Sequence, residues 1–195
     1  MDSMREIARR AMEQMPPGCQ LQPTDGEVIG RHRDLLLGLE RVLVTGFYDT
    51  LFAHGPTEEV FAQDERPMRE QTLGAWWRRT VAGPLDEDYF AWMALVGLVH
   101  VIREVSNPMM LAMTEYVRTL VADQAGPVLV DPQERALLVD AFGRLASTVG
   151  AVITFAYDHA VASALFEVAG MPAPLLRRLR NAEVAEALRQ AREPG

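Results

Sequence analysis

Period-two alternation of apolar and polar residues is almost absent from this 195-residue chain. Apolar positions instead recur at helical spacing between breaks made by proline and glycine. A chain that cannot present one face of a sheet has to build its core from helices, so the fold class is all-α. The first helix is expected over 1–15, followed by a linker, "PPGCQLQPTDG", over 16–26. A helical pattern runs from Asp25 to His54, with breaks at Gly30 and Gly38, and Thr57 caps a short helix reaching Gln63. Further helices are expected over 66–81, over 87–105 with Asp86 as cap, and over 108–123. A long helix over 133–168 and a charged one over 175–192 complete the pattern of six to eight helices. The long helix carries many small residues, among them Ala141, Gly150, Ala151, Ala156 and Ala160. Small residues permit close approach of another helix, within the chain or from a second subunit.

Charge and cysteine content remove several function classes. Nineteen basic residues stand against 27 acidic ones, a net charge of -8. That balance opposes general nucleic-acid binding, which needs a positive footprint. The longest apolar run, Tyr89 to Ile102, is too short to span a bilayer, and the N-terminus lacks an apolar signal core. With one cysteine, Cys19, no disulfide forms within the chain. These features describe a soluble protein of the cytoplasm, without membrane or nucleic-acid partners. Serine-hydrolase, zinc-protease, phosphate-loop and EF-hand signatures are all missing, and the four histidines have no metal-ligand spacing.

The candidate that carries chemistry is His100, placed inside "YFAWMALVGLVHVIREVSNPMM". A buried imidazole needs a partner for at least one nitrogen, or it costs about 1–3 kcal/mol. A carbonyl, a carboxylate, a water or a metal would all serve. On a helix Met93, Val96, Gly97, His100 and Arg103 share one face, and Trp92, Leu95, Val99 and Ile102 the opposite one. Gly97 costs about 1 kcal/mol in a helix interior, so it marks a place where something bulky comes close. One side of this helix is expected to meet protein core and the other a flat apolar cofactor; a satisfied core histidine is the plainer alternative.

The segments "GFYDTLFAHGPTEEVF", "REQTLGAWWRRTVAGPLDEDYF" and "GLVHVIREVSNPMM", in that order, resemble the sensor globins: the haem domains of globin-coupled sensors and their relatives the protoglobins. The resemblance covers about 25–168 and rests on the combination of short motifs. It implies a globin fold of the sensor-globin type, with an extra N-terminal helix and a C-terminal helical tail. The parts would be residues 1–24 (helix and linker), 25–170 (haem domain) and 171–195 (charged tail). It implies haem b as cofactor, with His100 as the proximal iron ligand through Nε2 and Nδ1–H donating to a carbonyl or water. Tyr48 matches the distal tyrosine that hydrogen-bonds an iron-bound gas. Phe47, Leu73, Trp76 and Trp77 match pocket-lining positions, and Phe61 matches a wedge at the haem edge. Arg69, Arg78, Arg79 and Arg103 are candidate propionate partners.

The function the resemblance implies is gas sensing: binding of O2, CO or NO, without enzymatic turnover, reported to an unknown downstream partner. A homodimer through the G and H helices would carry the signal, and no output domain follows the globin region. Two rivals remain open at this level. One is a haem-free globin-fold scaffold whose Trp76–Trp77 pair fills the cavity. The other is a haem redox enzyme, for which the chain offers no reductase domain and no distal histidine.

Overall fold

The computed structural model describes residues 2–58, 60, 63–125 and 127–192, and every regular element among them is helical. The helices are α1 (Met4–Glu13), α2 (Pro23–Arg31), α3 (Arg33–Gly38), α4 (Glu40–Phe52), α5 (Gly55–Glu58), α6 (Arg66–Ala82), α7 (Glu87–Ile102), α8 (Asn107–Ala125), α9 (Pro132–Ala169) and α10 (Ala173–Gln190). The chain divides into two compact units, one spanning Asp2–Tyr157 and one beginning at Asp158.

Within the first unit the helix starts are those that capping chemistry dictates. Ser3 Oγ accepts from Glu6 N–H at 3.2 Å, and Asp86 accepts from Tyr89 N–H at 3.0 Å. Asp25 accepts from Gln22 N–H at 2.7 Å and pairs with Arg144 at 2.6 Å, which ties α2 to α9. Leu21 N–H donates to the Thr148 hydroxyl at 2.8 Å, a second tie between the N-terminal segment and α9. The helix α1 packs along α7, burying Ile7, Ala8 and Ala11 in the same core as Tyr89, Phe90, Met93 and Ala94. The packing therefore crosses the sequence boundary at residue 24.

Three local expectations are corrected. The breaks between α2, α3 and α4 fall at His32 and Leu39, each one or two residues past the glycine expected to make them. Thr57 is not a helix cap. It lies within α5, and its hydroxyl donates backward to the Leu51 and His54 carbonyls; residues 59, 61 and 62 of the stretch expected to reach Gln63 lie outside those described. The helix bearing His100 ends at Ile102 rather than 105. There Glu104 takes a left-handed conformation (φ 56°), Val105 N–H donates to the His100 carbonyl at 3.0 Å, and Glu104 N–H to Val101 at 3.2 Å. Those two bonds make a Schellman closure built on a non-glycine residue, and they fix His100 one turn from the helix end.

In the second unit the last turns of α9 close at Gly170 (φ 62°), where Met171 N–H donates to Leu165. The helix α10 buries none of its residues.

Candidate functional site

A cavity of about 400 Å³ opens inside the first unit, walled by α4, α6, α7, α8 and α9. Its size is that of a small-molecule site, and its walls are overwhelmingly apolar. From α6 it receives Arg69, Thr72, Leu73 and Trp76, one helical stripe. Facing them on α7 are Trp92, Met93, Leu95, Val96, Val99, His100 and Arg103. The cavity meets solvent along α7, where Leu95 and Val99 line it while remaining 47% and 49% exposed.

His100 stands on this wall with its Nδ1 buried and without a hydrogen-bond partner among the described residues. No carbonyl among the described residues accepts from Nδ1. Burial pushes the imidazole down to about 4, so the ring is neutral at pH 7. Tyr48 of α4 lines the same cavity and is 7% exposed. Its ring packs edge-on against Phe47, and no protein group hydrogen-bonds its hydroxyl among the described residues. Burial pushes that phenol up to about 12, with Arg69 opposing and Glu70 adding to the shift. The two polar groups singled out in the sequence are therefore brought to one apolar chamber, each neutral.

Of the remaining candidates, Phe47, Leu73, Trp76, Met93, Val96 and Arg103 also line the cavity. Two do not. Trp77 is fully buried on the other side of α6, where its indole N–H donates to the Leu36 carbonyl at 2.9 Å and its ring packs on Phe142. Adjacent helical residues point about 100° apart, and here that turn carries Trp77 off the chamber while Trp76 stays on it. Gly97 is corrected as well. A Cβ there would lie 2.6 Å from the Ile153 carbonyl oxygen and 2.7 Å from the Ala156 Cβ, so the bulky neighbour is α9, not a ligand. Phe61 lies outside the described residues. Among the arginines, Arg78 pairs with Glu40, and Arg79 reaches the Pro84 carbonyl and Asp86, whereas Arg69 and Arg103 are on the cavity wall.

Much of the wall comes from residues that no sequence motif singles out. Met109, Met110, Met113, Thr114 and Val117 of α8 line it, as do Phe142, Leu145, Ala146, Val149 and Ile153 of α9. Both sets recur at helical spacing, so the signal was present, but any core stripe gives the same one. Trp92, Leu95 and Val99, assigned to the opposite face of α7, also face the cavity. That arc takes up roughly half the helix circumference rather than a single stripe.

The protoglobin family model matches residues 12–160. Among solved structures, the globin domain of a Geobacter sulfurreducens globin-coupled sensor matches with a TM-score of 0.60 at 19% identity, over 80% of this chain and 99% of that one. A comparison with curated proteins finds no match. The architecture is accordingly an all-α globin fold.

Proposed function

The chain belongs to the protoglobin family, and from that premise we propose that its cavity holds haem b and takes a diatomic gas (O2, CO or NO) as a sensor. The observation that carries the proposal is the meeting of a neutral His100, its Nδ1 unsatisfied, and an unbonded Tyr48 hydroxyl in one apolar chamber. With its proton on the unpartnered Nδ1, the neutral ring would present the Nε2 lone pair to a metal. The residues fit the group: a neutral imidazole for iron, an apolar slot between α6 and α7 for a flat macrocycle, and two arginines at its edge for carboxylates. Bound haem would supply a Lewis-acidic iron at which a gas binds.

The protein's own residues would set the selectivity. The Tyr48 hydroxyl donates a hydrogen bond to a polar ligand in the chamber, and its raised pKa keeps it a donor across the physiological range. Such a donor would favour the more polarisable of the bound gases, O2 over CO. The apolar side chains of α8 and α9 keep water away from that bond. Displacement of α7 would reach α9 through the close contact at Gly97, and from there a homodimer through α8 and α9 and a downstream partner. The haem-free scaffold reading loses its support here, because Trp77 is turned into the core and the chamber is not filled by the tryptophan pair.

Absorption spectra of the protein as Fe(III), Fe(II) and Fe(II)–CO test the proposal. A Soret band that His100→Ala abolishes, and that added imidazole restores, is the expected result. Protein from haem-replete cells without a Soret band, or a His100→Ala variant with an unchanged spectrum, overturns it.

A further inference from the structure

At the cavity edge one carboxylate serves two guanidinium groups. Glu65 accepts from Arg69 Nε at 2.9 Å and from its terminal nitrogen at 2.6 Å. The same carboxylate accepts from Arg103 Nη1 at 3.1 Å, although the two residues lie 38 positions apart. Arg69 and Arg103 line the cavity; Glu65 does not. The arginines come from opposite walls, α6 and the end of α7, so Glu65 bridges the gap between them. The two cationic groups hold the Glu65 carboxyl below its ordinary value.

We infer that Arg69 and Arg103 form a carboxylate-binding site at the cavity edge, and that Glu65 is an internal competitor for the carboxylates of the tetrapyrrole that enters. This rests on the haem reading above. The chemistry is an exchange of ion pairs. Glu65 leaves the guanidinium groups, and the two propionate carboxylates replace it. Glu65, once displaced, remains beside two propionates of its own sign. It therefore weakens loading of a dicarboxylate porphyrin and has no effect on an uncharged one. The ion pairs are partly exposed (Glu65 28%, Arg103 43%), so each accounts for a few-fold in affinity and the pair for about tenfold.

Metal-free protoporphyrin IX and its dimethyl ester separate this idea from iron ligation. Binding to the apoprotein is read from quenching of tryptophan fluorescence, since Trp76 and Trp92 line the cavity. In Glu65→Gln the diacid should bind about tenfold tighter, with the ester changed less than about twofold. In Arg103→Gln the diacid should weaken several-fold and the ester should not. Unchanged or weaker diacid binding in Glu65→Gln, or equal binding of diacid and ester to the wild type, overturns the inference and leaves the haem reading standing. Quenching by neither porphyrin overturns both.

Discussion

Gly97→Ala adds one methyl group to α7, and the structure decides the sign of its effect. The new Cβ would lie 2.6 Å from the Ile153 carbonyl oxygen and 2.7 Å from the Ala156 Cβ. Neither atom can rotate aside: one is backbone and the other is the whole side chain. To reach ordinary contact near 3.4 Å, α7 and α9 have to part by about 0.8 Å. Overpacking of this kind costs about 1–3 kcal/mol, and the upper end applies because the clash is with backbone. Alanine returns about 1 kcal/mol of helix propensity, leaving a net loss of about 2 kcal/mol. For a chain of this size that lowers Tm by about 4–8 °C. Gly26→Ala in α2 is the control, since nothing lies within 4 Å of a Cβ there; it should gain about 0.4–1 kcal/mol. Urea unfolding of the two apoprotein variants, with m-values unchanged, measures both. A Gly97→Ala variant as stable as the wild type would refute the close helix contact, and with it the path proposed for α7 to act on α9.

Tyr48→Phe in the haem-loaded protein removes a hydrogen bond worth about 1.5–3 kcal/mol, so O2 should dissociate about one to two decades faster. Stopped-flow dissociation should show CO much less affected; equal effects on both gases would turn Tyr48 away from the ligand. Asp25 is 2% exposed, and although burial raises its carboxyl, the hydrogen bonds from Arg144 and Gln22 N–H outweigh that and hold it below 3.8. A folded-state pKa below the unfolded value gives stability that is present above about pH 4 and lost as pH falls further. Arg144→Met should therefore cost about 2 kcal/mol near pH 7, discounted from a fully buried pair because Arg144 is 30% exposed. Denaturant midpoints should converge with the wild type as pH falls below about 4, and a loss independent of pH would mean that packing, not charge, is at work. Leu111 of α8 is 49% exposed and sits against α9 at Gly150. If α8 and α9 form the homodimer interface, Leu111→Glu buries a carboxylate there at a cost of several kcal/mol. Light scattering should then show a wild-type dimer and a monomeric variant with an intact fold, whereas a monomeric wild type removes the dimer from the proposal.

The helices were legible because their apolar positions keep one period and because proline and glycine punctuate them. The cap at Asp86 and the long helix to Ala169 need only local chemistry. What the sequence left open depends on distant partners. Trp76 and Trp77 are neighbours of equal hydrophobicity, and their roles are assigned by the Leu36 carbonyl, 41 residues away, and by Phe142. The Glu65–Arg69 pair is readable as an i,i+4 contact; that the same carboxylate also holds Arg103 is not. Gly97 announces a close neighbour without naming it.

The divided circumference of α7 gives these particulars a common meaning. Residues from Trp92 to Arg103 on one arc face the cavity, while Phe90, Ala94 and Gly97 on the next arc are buried against protein. His100 and Gly97 are three positions apart and so lie on neighbouring arcs of one rigid rod. Packed helices do not deform continuously; they shift between discrete arrangements. On the proposed reading, a force applied at His100 would pass through α7 to α9, where Gly97 leaves no slack.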